Sequence, residues 1–71
     1  MQDNFSEGLE RRRVIAEARA ADLAALSLPH FRRLRRASQG PRFVRLGERR
    51  VGYRVGDVLD WIDARLSDAG K

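Results

Sequence analysis

Apolar positions recur at helical spacing in two neighbouring stretches of the chain. From Glu17 to Leu26, Ala20, Leu23 and Ala24 fall on one face with Val14 and Ile15 just ahead, while Glu17, Arg19 and Asp22 point elsewhere. A short, Ala-rich amphipathic helix is predicted there. Ser27 then offers a capping hydroxyl and Pro29 falls in a first turn that needs no N–H, so a second helix is expected from about Leu28 to Ala37. Leu28, Phe31 and Leu34 share its apolar side. At about 100° per residue, the opposite direction is occupied by Pro29, Arg32, Arg33 and Arg36, with His30 and Arg35 on the flanks.

The period changes after Ser38-Gln39-Gly40-Pro41, a stretch expected to end the helix because Gly permits a left-handed turn and Pro cannot continue it. Arg42-Phe43-Val44-Arg45-Leu46 and Arg50-Val51-Gly52-Tyr53-Arg54 are β-prone runs joined through Gly47-Glu48-Arg49. They predict a hairpin with arginines along it and at its tip. A last helix is expected from Asp57 to about Leu66, with Gly56 as its cap and Trp61, Ile62 and Leu66 giving most of the core. Residues 1–13 read as a flexible tail ending in the basic arm Arg11-Arg12-Arg13, 14–66 as the folded domain, and 67–71 as a frayed end.

Length limits what such a chain can hold. Seventy-one residues form one small domain that buries only about 60% of the surface its unfolded form exposes. With no Cys and one His, disulfides and a zinc site are ruled out, and no cofactor is expected. The longest apolar run, Leu23 to Leu26, is far too short for a membrane span, so a soluble, cytoplasmic protein is expected. The only His falls in a basic face and the aspartates of the last helix lie at surface steps. No nucleophile and base are visible, and an enzyme is not expected.

Charge adds position to this picture. The formal net charge of +5 combines acidic ends with a centre in which thirteen Arg oppose only Glu17, Asp22 and Glu48 over residues 11–54. Fourteen of the fifteen basic residues are Arg, the side chain suited to bidentate contact with phosphate and guanine. Such a segment is the footprint of a polyanion-binding surface.

Two helices joined by a turn of about three residues, the second basic on its outer side, form a helix-turn-helix: the first braces the second for entry into the major groove. The following hairpin would act as a wing on an adjacent groove or phosphate strand. The expected fold class is α+β, mostly α, a winged helix-turn-helix. The stretch from Val14 to Leu66 resembles the excisionase and AlpA-like group of small winged helix-turn-helix proteins, related to the MerR DNA-binding domain. The resemblance rests on Ala20-Ala21, Ser27, Gly40-Pro41, Leu46-Gly47, Tyr53-Arg54, and Asp57 followed by Trp61. Ala16 stands where that group often has a Ser or Thr cap, and Leu28-Pro29-His30 replaces a polar opening of the recognition helix.

The residues expected to meet duplex DNA are Arg32, Arg33 and Arg36, with Arg35 and His30 on the flanks, Arg49 and Arg50 at the wing tip, and the arm Arg11, Arg12 and Arg13. Arg35 has a competing role as the partner of Asp22 or of an acidic residue of the last helix. Tyr53 and Phe43 offer rings for single-stranded bases, a reading less suited to an Arg-faced helix. The resemblance implies an excisionase, a recombination directionality factor that binds cooperatively in tandem beside an attachment site and promotes excision by an integrase. An AlpA-like transcriptional regulator is the alternative, and a protein-binding antitoxin or anti-repressor a third. So short a sequence leaves little for a ligand-binding domain, which favours tandem self-association, the acidic end of one copy against the basic centre of the next.

Overall fold

The computed structural model describes residues 2–66, and the expected frayed end, 67–71, lies outside them. The elements follow in the order α1 (Gln2–Arg12), β1 (Val14–Ala16), α2 (Glu17–Leu23), α3 (Leu28–Arg36), β2 (Val44–Arg45), β3 (Val51–Arg54) and α4 (Val55–Ala64). This is a small α+β fold with the helix-turn-helix in α2 and α3 and the wing in β2 and β3. The sheet is antiparallel in the order β1-β3-β2, with Ile15 opposite Tyr53 and Val44 opposite Gly52.

Two of these elements were not expected. Val14 and Ile15, expected just ahead of a helix, are instead extended, as β-branched residues prefer, and pair with β3. Residues 2–12, expected as a tail, form α1, which packs along α4. No apolar period marks this helix. Its last turn carries Arg11 and Arg12, which suit the negative end of the helix dipole, and Arg11 supplies a polar attachment to α4.

Both helices of the helix-turn-helix end in the same way. Ala25 and Ser38 adopt left-handed backbone, with φ of 60° and 58°. The amide of Leu26 donates to the Ala21 carbonyl and that of Ala25 to Asp22, both at 2.9 Å; Gln39 and Ser38 repeat the pattern onto Leu34 and Arg35 at 2.8 and 3.0 Å. These paired bonds satisfy carbonyls that the last turn leaves open. The left-handed residue after α3 is therefore Ser38 and not Gly40. Likewise α2 closes at Leu23, short of the expected Leu26, because Ala25 reverses the chain.

One buried residue or pair from each of four elements makes the core: Ala20 and Ala21 of α2, Phe31 of α3, Tyr53 of β3 and Val58 of α4. The Phe31 ring lies 5.2 Å from Tyr53 and meets Trp61 edge-on at 6.2 Å. Trp61 and Ile62 pack against this cluster, but Leu66, expected within it, is 77% exposed beyond the end of α4. Trp61 donates its indole N–H to the Gln39 carbonyl at 3.0 Å, and the Arg65 guanidinium covers its ring at 4.6 Å.

Gly56 is not the cap of the last helix. Arg54 holds that position, α4 begins at Val55, and the Val55 amide is satisfied by the Arg13 carbonyl at 2.9 Å. Gly56 is buried beneath the Arg11 side chain, where a Cβ would approach the guanidinium and stem to 3.0 Å. Gly52 serves a close approach of another kind. A Cβ there would come within 2.7 Å of Val14 Cγ1, 2.9 Å of Leu46 Cδ1 and 3.2 Å of the Ile15 carbonyl, so β1 and the residue that follows β2 close over it.

Candidate nucleic-acid interface

Ser27 starts α3 as its sequence suggests: its hydroxyl accepts from the His30 amide at 3.3 Å, with Pro29 in the first turn. Phe31 anchors the helix from below. Since the core holds that side, Arg32, Arg33 and Arg36 emerge on the other, exposed, with His30 exposed at the first turn. The wing closes through Gly47 to Arg50, where the Leu46 amide donates to the Arg50 carbonyl at 2.8 Å. Arg49 and Arg50 are exposed at its tip.

Between α3 and the wing runs an open cleft of about 450 Å³, bordered by Arg32, Arg35, Arg36, Arg49 and Arg50. Among the described residues, the single carboxylate lining it is Glu17. Its oxygens accept from Arg35 Nε at 2.7 Å, the Tyr53 hydroxyl at 2.8 Å, Arg35 Nη2 at 3.4 Å and Arg32 Nε at 3.4 Å. Burial pushes the Glu17 carboxyl towards its neutral form, but hydrogen bonds from Arg35, Tyr53 and Arg32 outweigh it and hold the pKa below the usual carboxylate range. The same contact raises Arg35 further, while burial and the Glu17 charge push the Tyr53 phenol well above its ordinary value. Glu17 is thus ionised, and it joins α2, α3 and β3 at one point.

Arg35 pairs with neither Asp22 nor the last helix. Its side chain is 21% exposed and is held in two places by Glu17, whereas Arg32 is 47% exposed with one long contact. Tyr53 is fully buried and presents no ring to bases. Phe43 is partly exposed, with the guanidinium carbons of Arg35 and Arg45 at 5.8 and 5.9 Å from its ring centre.

The expected basic arm is not a free extension. Arg11 grips both oxygens of Asp60 at 2.8 and 2.9 Å and reaches the Gly56 carbonyl at 3.4 Å, while Arg13 pairs with Glu10 at 3.3 Å. Neither residue borders the arginine cleft. Glu17 was the residue that sequence reasoning missed. Its spacing to Ala20, Ala21 and Ala24 was the available signal, since steps of three, four and seven put it on the same stripe as the buried Ala20 and Ala21 and the half-buried Ala24.

An Arg-bordered cleft between a recognition helix and a wing defines the class: a DNA-binding winged helix-turn-helix protein. A family profile described as Prophage CP4-57 regulatory protein (AlpA) matches residues 13–66. The chain belongs to this AlpA family and is a DNA-binding regulatory protein. No curated protein and no solved structure matches it significantly. Among the described residues, no helix is long and apolar enough to cross a membrane.

Proposed function

We propose that the chain binds duplex DNA in a sequence-dependent manner as a recombination directionality factor, laying α3 in the major groove and the wing against the neighbouring phosphate strand. The observation that carries this reading is the cleft between α3 and the wing, which four exposed arginines and Arg35 border. A helix of this kind fits a groove about 12 Å wide, and guanidinium groups match phosphate and guanine edges. Arg32, Arg33 and Arg36 read bases or grip phosphate, with His30 beside them. Arg49 and Arg50 fix the register on the backbone. No catalytic step belongs to this role.

Copies assemble in tandem beside an attachment site and steer an integrase towards excision. The segregation of charge into acidic ends and a basic centre supports such head-to-tail contact. The second reading, transcriptional regulation, is favoured by the family's description as regulatory.

Titrating labelled duplex at several salt concentrations tests the shared part of these readings. With about six phosphates neutralised, log K falls against log salt with a slope near −5; a flat dependence refutes DNA binding and leaves a protein partner. Arg32→Ala with Arg33→Ala abolishes site preference while the fold survives, and unchanged preference moves recognition to the wing. Stepwise cooperative shifts support the directionality role, and one sharp shift on a palindrome supports a regulator.

A further inference from the structure

The Glu17 carboxylate is an anion inside a surface that must attract an anion. Its place follows from the fold: it opens α2, where the helix dipole favours negative charge, and it faces the cleft from beneath α3. The two arginines it touches are held differently. Arg35 is engaged through Nε and Nη2, with most of its surface covered, so its charge is directed inwards. Among the described residues, Arg32 is engaged through Nε alone. A guanidinium has five N–H donors in a rigid fork, so this contact leaves the terminal nitrogens of Arg32 free while restricting its swing.

We infer that Glu17 is a positioning residue for DNA recognition: it keeps Arg35 as an internal strut and presents the terminal nitrogens of Arg32 to the groove, exchanging unspecific attraction for discrimination between sites. This rests on the reading that the cleft binds duplex DNA. The exchange has two separable parts. One negative charge in the cleft lowers affinity for any duplex, because Arg35 is already neutralised. Ordering Arg32 beforehand raises affinity only where its fork finds its partner, by roughly 2- to 10-fold for one side chain that need not be immobilised on binding.

The test compares two duplexes of equal length, one selected by the wild-type chain from a randomised pool and one of random sequence. In Glu17→Gln, affinity for the random duplex rises, its salt slope steepens by about one phosphate's worth, ~0.9, and the preference for the selected duplex falls roughly 2- to 10-fold. A folded Glu17→Gln variant with unchanged slope and preference overturns the inference. Tyr53→Phe removes another donor to the same carboxylate without altering charge or Arg32. It lowers thermal stability and keeps the preference, and an equal loss of preference there reduces Glu17 to a packing role and overturns the inference.

Should Glu17→Gln fail to fold, Glu17→Asp decides. It keeps the charge but draws the carboxylate back from Arg32 Nε, so preference for the selected duplex falls without the steeper slope of Glu17→Gln; a folded Glu17→Asp variant with unchanged preference overturns the inference. A wild-type chain that binds neither duplex overturns the DNA reading, and this one with it. Failure of the positioning role alone leaves wild-type binding intact.

Discussion

Replacing Gly52 by Ala places one methyl group where β1 and Leu46 crowd β3, and the structure fixes what that methyl would meet. Leu46 Cδ1, at 2.9 Å, ends a flexible and exposed side chain and can turn away. Val14 Cγ1, at 2.7 Å, cannot move so easily, because a β-branched residue has restricted χ1. The Ile15 carbonyl, at 3.2 Å, is backbone, and relieving it means drawing β1 away from β3. Overpacking of this kind costs about 1–3 kcal/mol, and removing a strand glycine returns about 0.5–1 kcal/mol. The net loss is about 1–2 kcal/mol. For a domain of this size each kcal/mol shifts Tm by about 4–8 °C, so Tm falls by roughly 5–15 °C. Thermal melting followed by far-ultraviolet circular dichroism measures it. Val14→Ala, which removes the nearest atom, recovers part of the loss in the double variant through a coupling of at least ~0.5 kcal/mol. An unchanged or higher Tm in Gly52→Ala, or strict additivity with Val14→Ala, refutes the close approach of β1 to β3.

Stability also depends on pH at both extremes. Glu17 has a folded pKa below its ordinary 4.5, so the unfolded chain binds its proton more readily and stability is lost as pH falls below about that value. Tyr53 has a folded pKa above its ordinary 10.0, so its contribution is present below that pH and is lost as pH rises beyond it. Melting across pH shows shallower acid loss in Glu17→Gln and shallower alkaline loss in Tyr53→Phe. Phe31→Ala removes the only fully buried side chain of α3; it costs about 3–5 kcal/mol, enough that circular dichroism shows an unfolded or barely folded chain. Ala25→Gly acts in the opposite sense. It relieves about 1–2 kcal/mol of left-handed strain against about 0.4–1 kcal/mol of added unfolded-state freedom, and a Tm below wild type would contradict the φ of 60°.

The helix-turn-helix and wing were legible because their signals are local. Ser27, Pro29 and the three-residue steps of Leu28, Phe31 and Leu34 need no distant partner to be read, and neither does the two-run pattern around Gly47. The parts that were not legible depend on contacts across the chain. Val14 to Ala16 becomes a strand only because β3, far along the sequence, offers an open edge. Residues 2–12 gain a helix that docks through Arg11 onto Asp60, a polar attachment that leaves no apolar period. Glu17 looked like a solvent-facing acid until Arg35 and Tyr53 supplied donors in the interior. The arginines of the face were visible in the sequence, whereas the distinction between Arg35 held inwards and Arg33 left outwards required the fold.

Trp61 is the only tryptophan of the chain, and its surroundings make it an optical gauge of the junction between α3 and the wing. Its indole N–H is tied to the carbonyl of Gln39, in the link between the recognition helix and the wing, and its ring lies under Arg65 and against Phe31. A shift of that link lengthens the bond to Gln39 and alters the polarity around the ring. Emission from this one indole therefore registers a rearrangement of α3 relative to the wing without any attached label, in the same titration that measures DNA binding.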